Sequence, residues 1–219
     1  MSSIALSGNA AGAGVFTIAA PNSASSYTAT LPAATTTLVG TDATQTLTNK
    51  TLTSPTITGA AVSSMASSVI TSGTAVASTS GTSIDFTSIP SWVKRITVMF
   101  KGVSTSGTSI VIVQLGTGGT PTTSGYGGGC WQTSVYTNVT NGMALSGNNV
   151  ATDVRNGAIT ITNITGNTWV STAVNVNDNA TGGGGAGSVA LAGVLNLVRI
   201  TTVNGTDTFD LGSINILYE

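Results

Sequence analysis

The chain of 219 residues contains no histidine and a single cysteine, Cys130. Without an imidazole base, the Ser-His-Asp and Cys-His nucleophile systems are excluded. Histidine-ligated zinc goes with them, and one thiolate cannot build a metal cage. One cysteine also forbids an internal disulfide; beside Trp131 and a glycine run, Cys130 reads as a small packing residue. Charge is scarce: Asp, Glu, Lys and Arg make up 6% of residues, against about 25% in ordinary soluble domains. The net charge is −1. A phosphate-binding face needs a basic cluster. Only Lys94, Arg95 and Lys101 approach one, and a solvated or inter-subunit strand face accounts for them. No nucleic-acid partner and no cofactor are expected.

Long apolar runs are missing too. The longest, around 189–198, is interrupted by Gly193 and Asn196 and falls short of the roughly 20 residues a spanning helix needs. The N-terminus, from Met1 to Gly8, has neither the basic n-region nor the apolar h-region of a signal peptide. Synthesis in the cytosol, without the usual export route and without membrane insertion, is the expectation. Aromatics are sparse at 5%, yet hydrophobic residues reach 40% and glycines number 28. Disorder usually brings low hydrophobicity and high net charge, so this composition points instead to a β-rich assembly whose side chains pack between subunits.

The most distinctive pattern is a five-residue beat. Thr46-Leu47-Thr48-Asn49-Lys50 is followed by Thr51-Leu52-Thr53-Ser54-Pro55 and Thr56-Ile57-Thr58-Gly59-Ala60. One apolar residue, Leu47, Leu52 or Ile57, falls in each pentad. Helices place apolar residues at spacings of three and four, and strands alternate; neither period fits. Ordering a pentad's backbone costs about 5–10 kcal/mol, while burying one Leu returns about 1.5–3 kcal/mol. A lone chain would stay unfolded here. Several copies wound together could stack their apolar layers on one axis and share backbone hydrogen bonds, as repeats that cannot bury their own face require. A disordered Thr/Ser linker is the alternative reading.

The run TQTLTNKTLTSPTI at 44–57 resembles the shaft motif of tailed-bacteriophage tail fibre proteins. The preceding stretch, from Phe16-Thr-Ile-Ala-Ala-Pro21 through Leu31-Pro32 to Gly40, resembles what usually sits before that motif. The stretch Ser80 to Phe100, the segment Arg199 to Asp210 and the ending Ile214 to Tyr218 are similar to a C-terminal domain of the same fibres. The resemblance implies a homotrimer; the pentads by themselves demand only more than one copy. It also implies an extended arm over 1–39 that joins phage tail or capsid proteins, an intertwined trimeric shaft over 40–72, and a distal head over 73–219. The location implied is the virion, after synthesis in the host cytoplasm.

Beyond Gly73 the pattern becomes that of strands. Ile84 and Phe86 alternate with Ser83, Asp85 and Thr87; Ile96, Val98 and Phe100 alternate with Arg95, Thr97, Met99 and Lys101. Residues 110–115 are apolar on both faces, as in a strand buried between two sheets or against a partner chain. Further strands are expected over 158–163, 168–176, 188–202 and 213–219, with a long turn through 177–187 and a hairpin at Asn204-Gly205. No segment has a helical period. The expected fold class is all-β, with the head an antiparallel β-sandwich of jelly-roll type.

Gly182, Gly184 and Gly187 formally match a dinucleotide fingerprint, with Asp207 about 20 residues on. The segment after them reads as a strand, so no helix N-terminus would meet a pyrophosphate. Glycosidases need two opposed acids. Asp207 and Asp210 read as turn residues; Asp153 and Asp178, expected in loops, have no evident pair. The chain is therefore not expected to be an enzyme. Tyr126, Trp131 and Tyr136 cluster in a Gly/Thr/Asn-rich region and are the candidate receptor-binding residues, because aromatic faces stack on sugars and loops on rigid β scaffolds carry recognition. Filling of the core or of a subunit interface by these rings is the alternative. Trp92 and Trp169 read as packing and core. The expected function is a structural tail fibre that binds a host surface glycan or protein during adsorption. Two rivals are a capsid or tail decoration fibre without a receptor and a polysaccharide-degrading tailspike.

Overall fold

The computed structural model describes residues 11–12, 24–26, 51, 53, 70–147 and 150–219. Nearly all of the arm over 1–39, and the shaft residues Leu47, Leu52 and Ile57, lie outside the described residues. The chain divides into two units, 1–60 and 61–219, and every described strand belongs to the second.

Alternation builds the strands. In chain order they are β1 (Thr71–Ser72), β2 (Val76–Ala77), β3 (Ile84–Thr87), β4 (Arg95–Thr105), β5 (Val111–Thr117), β6 (Thr120–Pro121) and β7 (Gly127–Gln132). There follow β8 (Val135–Asn138), β9 (Met143–Ala144), β10 (Arg155–Thr165), β11 (Thr168–Asn177), β12 (Gly182–Ala190), β13 (Leu195–Thr202) and β14 (Phe209–Tyr218). All pairings are antiparallel, and no helix occurs among the described residues. A large sheet runs β1-β14-β4-β10-β11-β12-β7-β8, with β2 also on β14; a small sheet runs β3-β13-β5-β6, with β9 on β5. The pairing of β1 with β14 carries the large sheet two residues into the stretch assigned to the shaft.

The sheets share one core. Ile96, Val98 and Phe100 of β4 meet Ile159 and Ile161 of β10 and Ile214 and Ile216 of β14; the small sheet contributes Ile84, Phe86, Val113, Leu115, Val198 and Ile200. The chain itself covers both faces of β5. Val111, Val113 and Leu115 enter the main core, while Ile112 packs in a second cluster with Cys130, Val139 and Ala144. Tyr218 packs against the core and carries Trp92, whose ring centroid lies 5.9 Å away. Trp92 is nevertheless 53% exposed, contrary to its reading as a packed residue; its contact with Tyr218 is tilted at 49°. Trp169 is a core residue, as expected.

Three sequence expectations need correction. The glycine stretch after Thr181 is no turn: the turn is confined to 178–180, and Gly182 to Ala190 form β12 between β11 and β7. Close packing demands these glycines. A Cβ on Gly185 would sit 2.3 Å from the Ala144 carbonyl oxygen, and one on Gly184 would sit 2.6 Å from that of Ala173. The single strand expected over 188–202 is two, β12 in the large sheet and β13 in the small one, because the chain crosses between sheets at 191–194. Asn204-Gly205 does turn, with Gly205 at φ 69°. It makes no hairpin, since β13 and β14 belong to different sheets.

Candidate functional site

Cross-strand register assembles an apolar row on the outward face of the large sheet. Met99 of β4 opposes Ala158 of β10, and Ala158 opposes Val174 of β11. Val174 faces Gly184 of β12, Gly184 faces Trp131 of β7, and Trp131 faces Tyr136 of β8. Side chains two apart share a face of a strand, so β7 turns Trp131 outward and Cys130 inward. Trp131 is 43% exposed and Tyr136 81%. A Cβ on Gly184 would lie 3.3 Å from the indole Cζ2 and Nε1, so the ring lies over a glycine that leaves room for it.

Beside this row runs a groove of about 390 Å³. Trp131 and Tyr136 form one side; Gly129 and Ala186, register partners, lie in the next row, with Asn138 opposite Gly129. The candidate aromatic trio is thus split. Tyr126 is a core residue, 4% exposed. The Leu115 N–H donates to its hydroxyl oxygen at 2.8 Å, and burial pushes its phenol up to about 12. Tyr126 therefore ties the entry of β7 to β5. Trp131 and Tyr136 sit on a hairpin of strands rather than in a loop. Cys130 packs on the buried side, with its thiol pushed up to about 11 by burial.

Asp153, Asp178 and Asp207 have partners within the fold; Asp178 Oδ1 accepts from the Val154 N–H at 3.4 Å. Asp207 Oδ2 accepts from the Ser109 N–H at 2.9 Å and its Oδ1 from Asn204 Nδ2 at 2.6 Å, the turn role expected. The glycines of the dinucleotide-like fingerprint lie within β12. Asp153, expected to be unpaired, is buried against Arg155. The carboxylate lies 3.6 Å from Arg155 Nη2 and accepts from the Val150 N–H at 3.1 Å and from Asn179 Nδ2 at 3.2 Å. Arg155 is fully buried, and burial pulls its guanidinium below the ordinary value despite Asp153 and Asp210. Its Nε and Nη2, with Gln132 Oε1, Asn175 Oδ1 and Asn177 Nδ2, have no hydrogen-bond partner. Sequence reasoning missed this inward polar group; the one available signal was that β10 alternation places Arg155 on the same face as Ile159 and Ile161.

Lys94, Arg95 and Arg199 are likewise engaged. Arg95 pairs with Glu219, and Lys94 Nζ donates to Asn163 Oδ1 at 3.5 Å. Arg199 forms a two-pronged pair with its register partner Asp85, at 2.7 and 2.6 Å. Among the described residues no group of three or more Cys, Asp or Glu side chains is placed to hold a metal ion. Compared with protein-family models, curated proteins and solved structures, the chain gives no significant match.

Proposed function

We propose that this chain is the subunit of a homotrimeric tail fibre of a tailed bacteriophage, and that its C-terminal part binds a host surface receptor during adsorption. In this reading residues 1–39 attach to virion proteins and 40–72 wind into a three-chain shaft. The two sheets form the halves of a sandwich-like head. The pentads around Leu47, Leu52 and Ile57 support more than one copy. The observation that carries the receptor role is the Trp131–Tyr136 pair, two large aromatic side chains held outward on a rigid sheet beside a groove. Exposed aromatic anchors are where binding energy concentrates. Three copies per fibre multiply a weak contact, since linked sites raise effective concentration and avidity exceeds single-site affinity by about 10²–10⁴. The engagement of Asp153 and Asp207 within the fold favours binding over bond cleavage.

Fluorescently labelled full-length protein, incubated with a panel of bacterial strains, tests the reading. Binding to at least one strain is expected, with at least a tenfold loss in Trp131→Ala and in Tyr136→Ala at unchanged melting temperature. Binding that survives both substitutions would remove this face from recognition. Binding to no strain would favour a decoration fibre.

A further inference from the structure

We propose that the groove beside Trp131 takes the apolar face of a neutral sugar ring; this rests on the reading of the Trp131–Tyr136 face as the recognition surface. Four features select that ligand class. The wall is aromatic, with a π face whose negative quadrupole attracts the weakly positive C–H groups on one side of a pyranose. Next to the wall lie Gly129 and Ala186, so nothing larger than a methyl group stands between a flat ligand and the sheet. Gly129 is fixed there: a Cβ would sit 2.4 Å from the Thr137 carbonyl oxygen. Across from them, Asn138, the register partner of Gly129, offers a side-chain amide, a neutral partner for sugar hydroxyls.

The fourth feature is charge. No lining residue is ionic, so a charged ligand would lose water without gaining a counter-charge. The location argues against a peptide. A peptide strand would add to the free edge of β8 through main-chain hydrogen bonds, whereas the groove lies on the face of the sheet, over β12, β7 and β8. A volume of about 390 Å³ sits at the small end of the roughly 300–1,000 Å³ typical of ligand sites, which suits a short terminal unit of a glycan rather than a long chain.

Saturation-transfer NMR on the full-length protein provides the test. The probes are methyl galactoside, methyl glucoside and N-acetylglucosamine, with galacturonic acid and glucosamine as charged counterparts. At least one neutral sugar should show transfer through its ring C–H protons with a Kd near 1 mM, at least tenfold tighter than its charged counterpart. Trp131→Ala should abolish the signal. So should Ala186→Leu, which fills the groove from an exposed, outward position and spares the fold if the tryptophan substitution does not. Transfer to no neutral sugar, transfer favouring the charged probes, or transfer unchanged by Ala186→Leu would each overturn the assignment. Cell binding separates this from the receptor reading. Loss of binding after periodate treatment of the cells supports the sugar. Loss after protease treatment alone overturns it and leaves a protein receptor in place. Sugar transfer without binding to any strain strikes the receptor reading and leaves the sugar site standing.

Discussion

Replacing Gly185 by alanine asks whether steric fit, rather than strand propensity, holds β12 in the sheet. The added Cβ would meet the Ala144 carbonyl oxygen at 2.3 Å, the Gly129 carbonyl oxygen at 3.1 Å and the Ala144 carbonyl carbon at 3.2 Å. All three are backbone atoms, which cannot rotate aside as a flexible side chain can. Ala144 is paired with Ile112, so yielding would pull β9 from β5 and open the cluster of Ile112, Cys130 and Val139. Forcing an extra carbon into a packed interior costs about 1–3 kcal/mol. Gly182, three residues earlier on the same strand, is the control. Its Cβ would meet nothing closer than 3.8 Å, so Gly182→Ala should be neutral or gain about 0.4–1 kcal/mol by restricting the unfolded chain. For a domain of this size each kcal/mol moves Tm by about 2–4 °C. Thermal melts followed by far-UV circular dichroism should therefore place Gly185→Ala roughly 2–12 °C below the parent protein and Gly182→Ala at or just above it. Equal melting temperatures for the two variants would refute the steric account of the glycine strand.

Three further predictions concern the buried ionisable residues and the proposed shaft. Asp153→Ala strips the partner from a fully buried guanidinium and should cost about 3–5 kcal/mol in urea titrations, whereas the double variant Asp153→Ala/Arg155→Met, which leaves neither charge buried alone, should lose far less; equal losses would show that the ion pair itself stabilises. Burial raises the Cys130 thiol from 9.0 to about 11 and the Tyr126 phenol from 10.0 to about 12. Below about pH 9 both groups are neutral in both states. Above it the unfolded chain releases protons that the native state retains, so the urea midpoint should fall between about pH 9 and 12. Cys130→Ala should flatten the first part of that fall, and a midpoint that rises over this range would contradict the assigned burial. Leu52→Asp should weaken assembly, seen as a lower native mass, while the circular dichroism of the sheets stays unchanged.

Strands whose alternation is complete were readable from sequence: Ile84 and Phe86 in β3, Ile96 to Phe100 in β4, and Ile214 to Tyr218 in β14 stand as expected. The failures share a cause, which is that tertiary contacts decide what local pattern does not. Glycine has little intrinsic strand preference, so 182–187 read as a turn; the carbonyl oxygens of Ala144 and Ala173, distant in sequence, make glycine the residue that fits. Apolar residues continue from Val189 to Val198 without a change of period, which hid the crossing at 191–194 between two sheets. At the site, the aromatic composition was legible and the arrangement was not. Alternation separates outward Trp131 from inward Cys130. Only the register of β7 against β8 and β12 brings Tyr136 and a glycine beside the indole, and only the fold buries Tyr126 against Leu115.

The pentads around Leu47, Leu52 and Ile57 carry one large apolar residue each, too few to order a single chain by themselves, so the proposed shaft requires more than one copy in solution. Native mass spectrometry of the full-length protein, or light scattering coupled to size exclusion, measures the number of copies directly. The account predicts three times the chain mass of 21.6 kDa; a stable species of 21.6 kDa at micromolar concentration would contradict it.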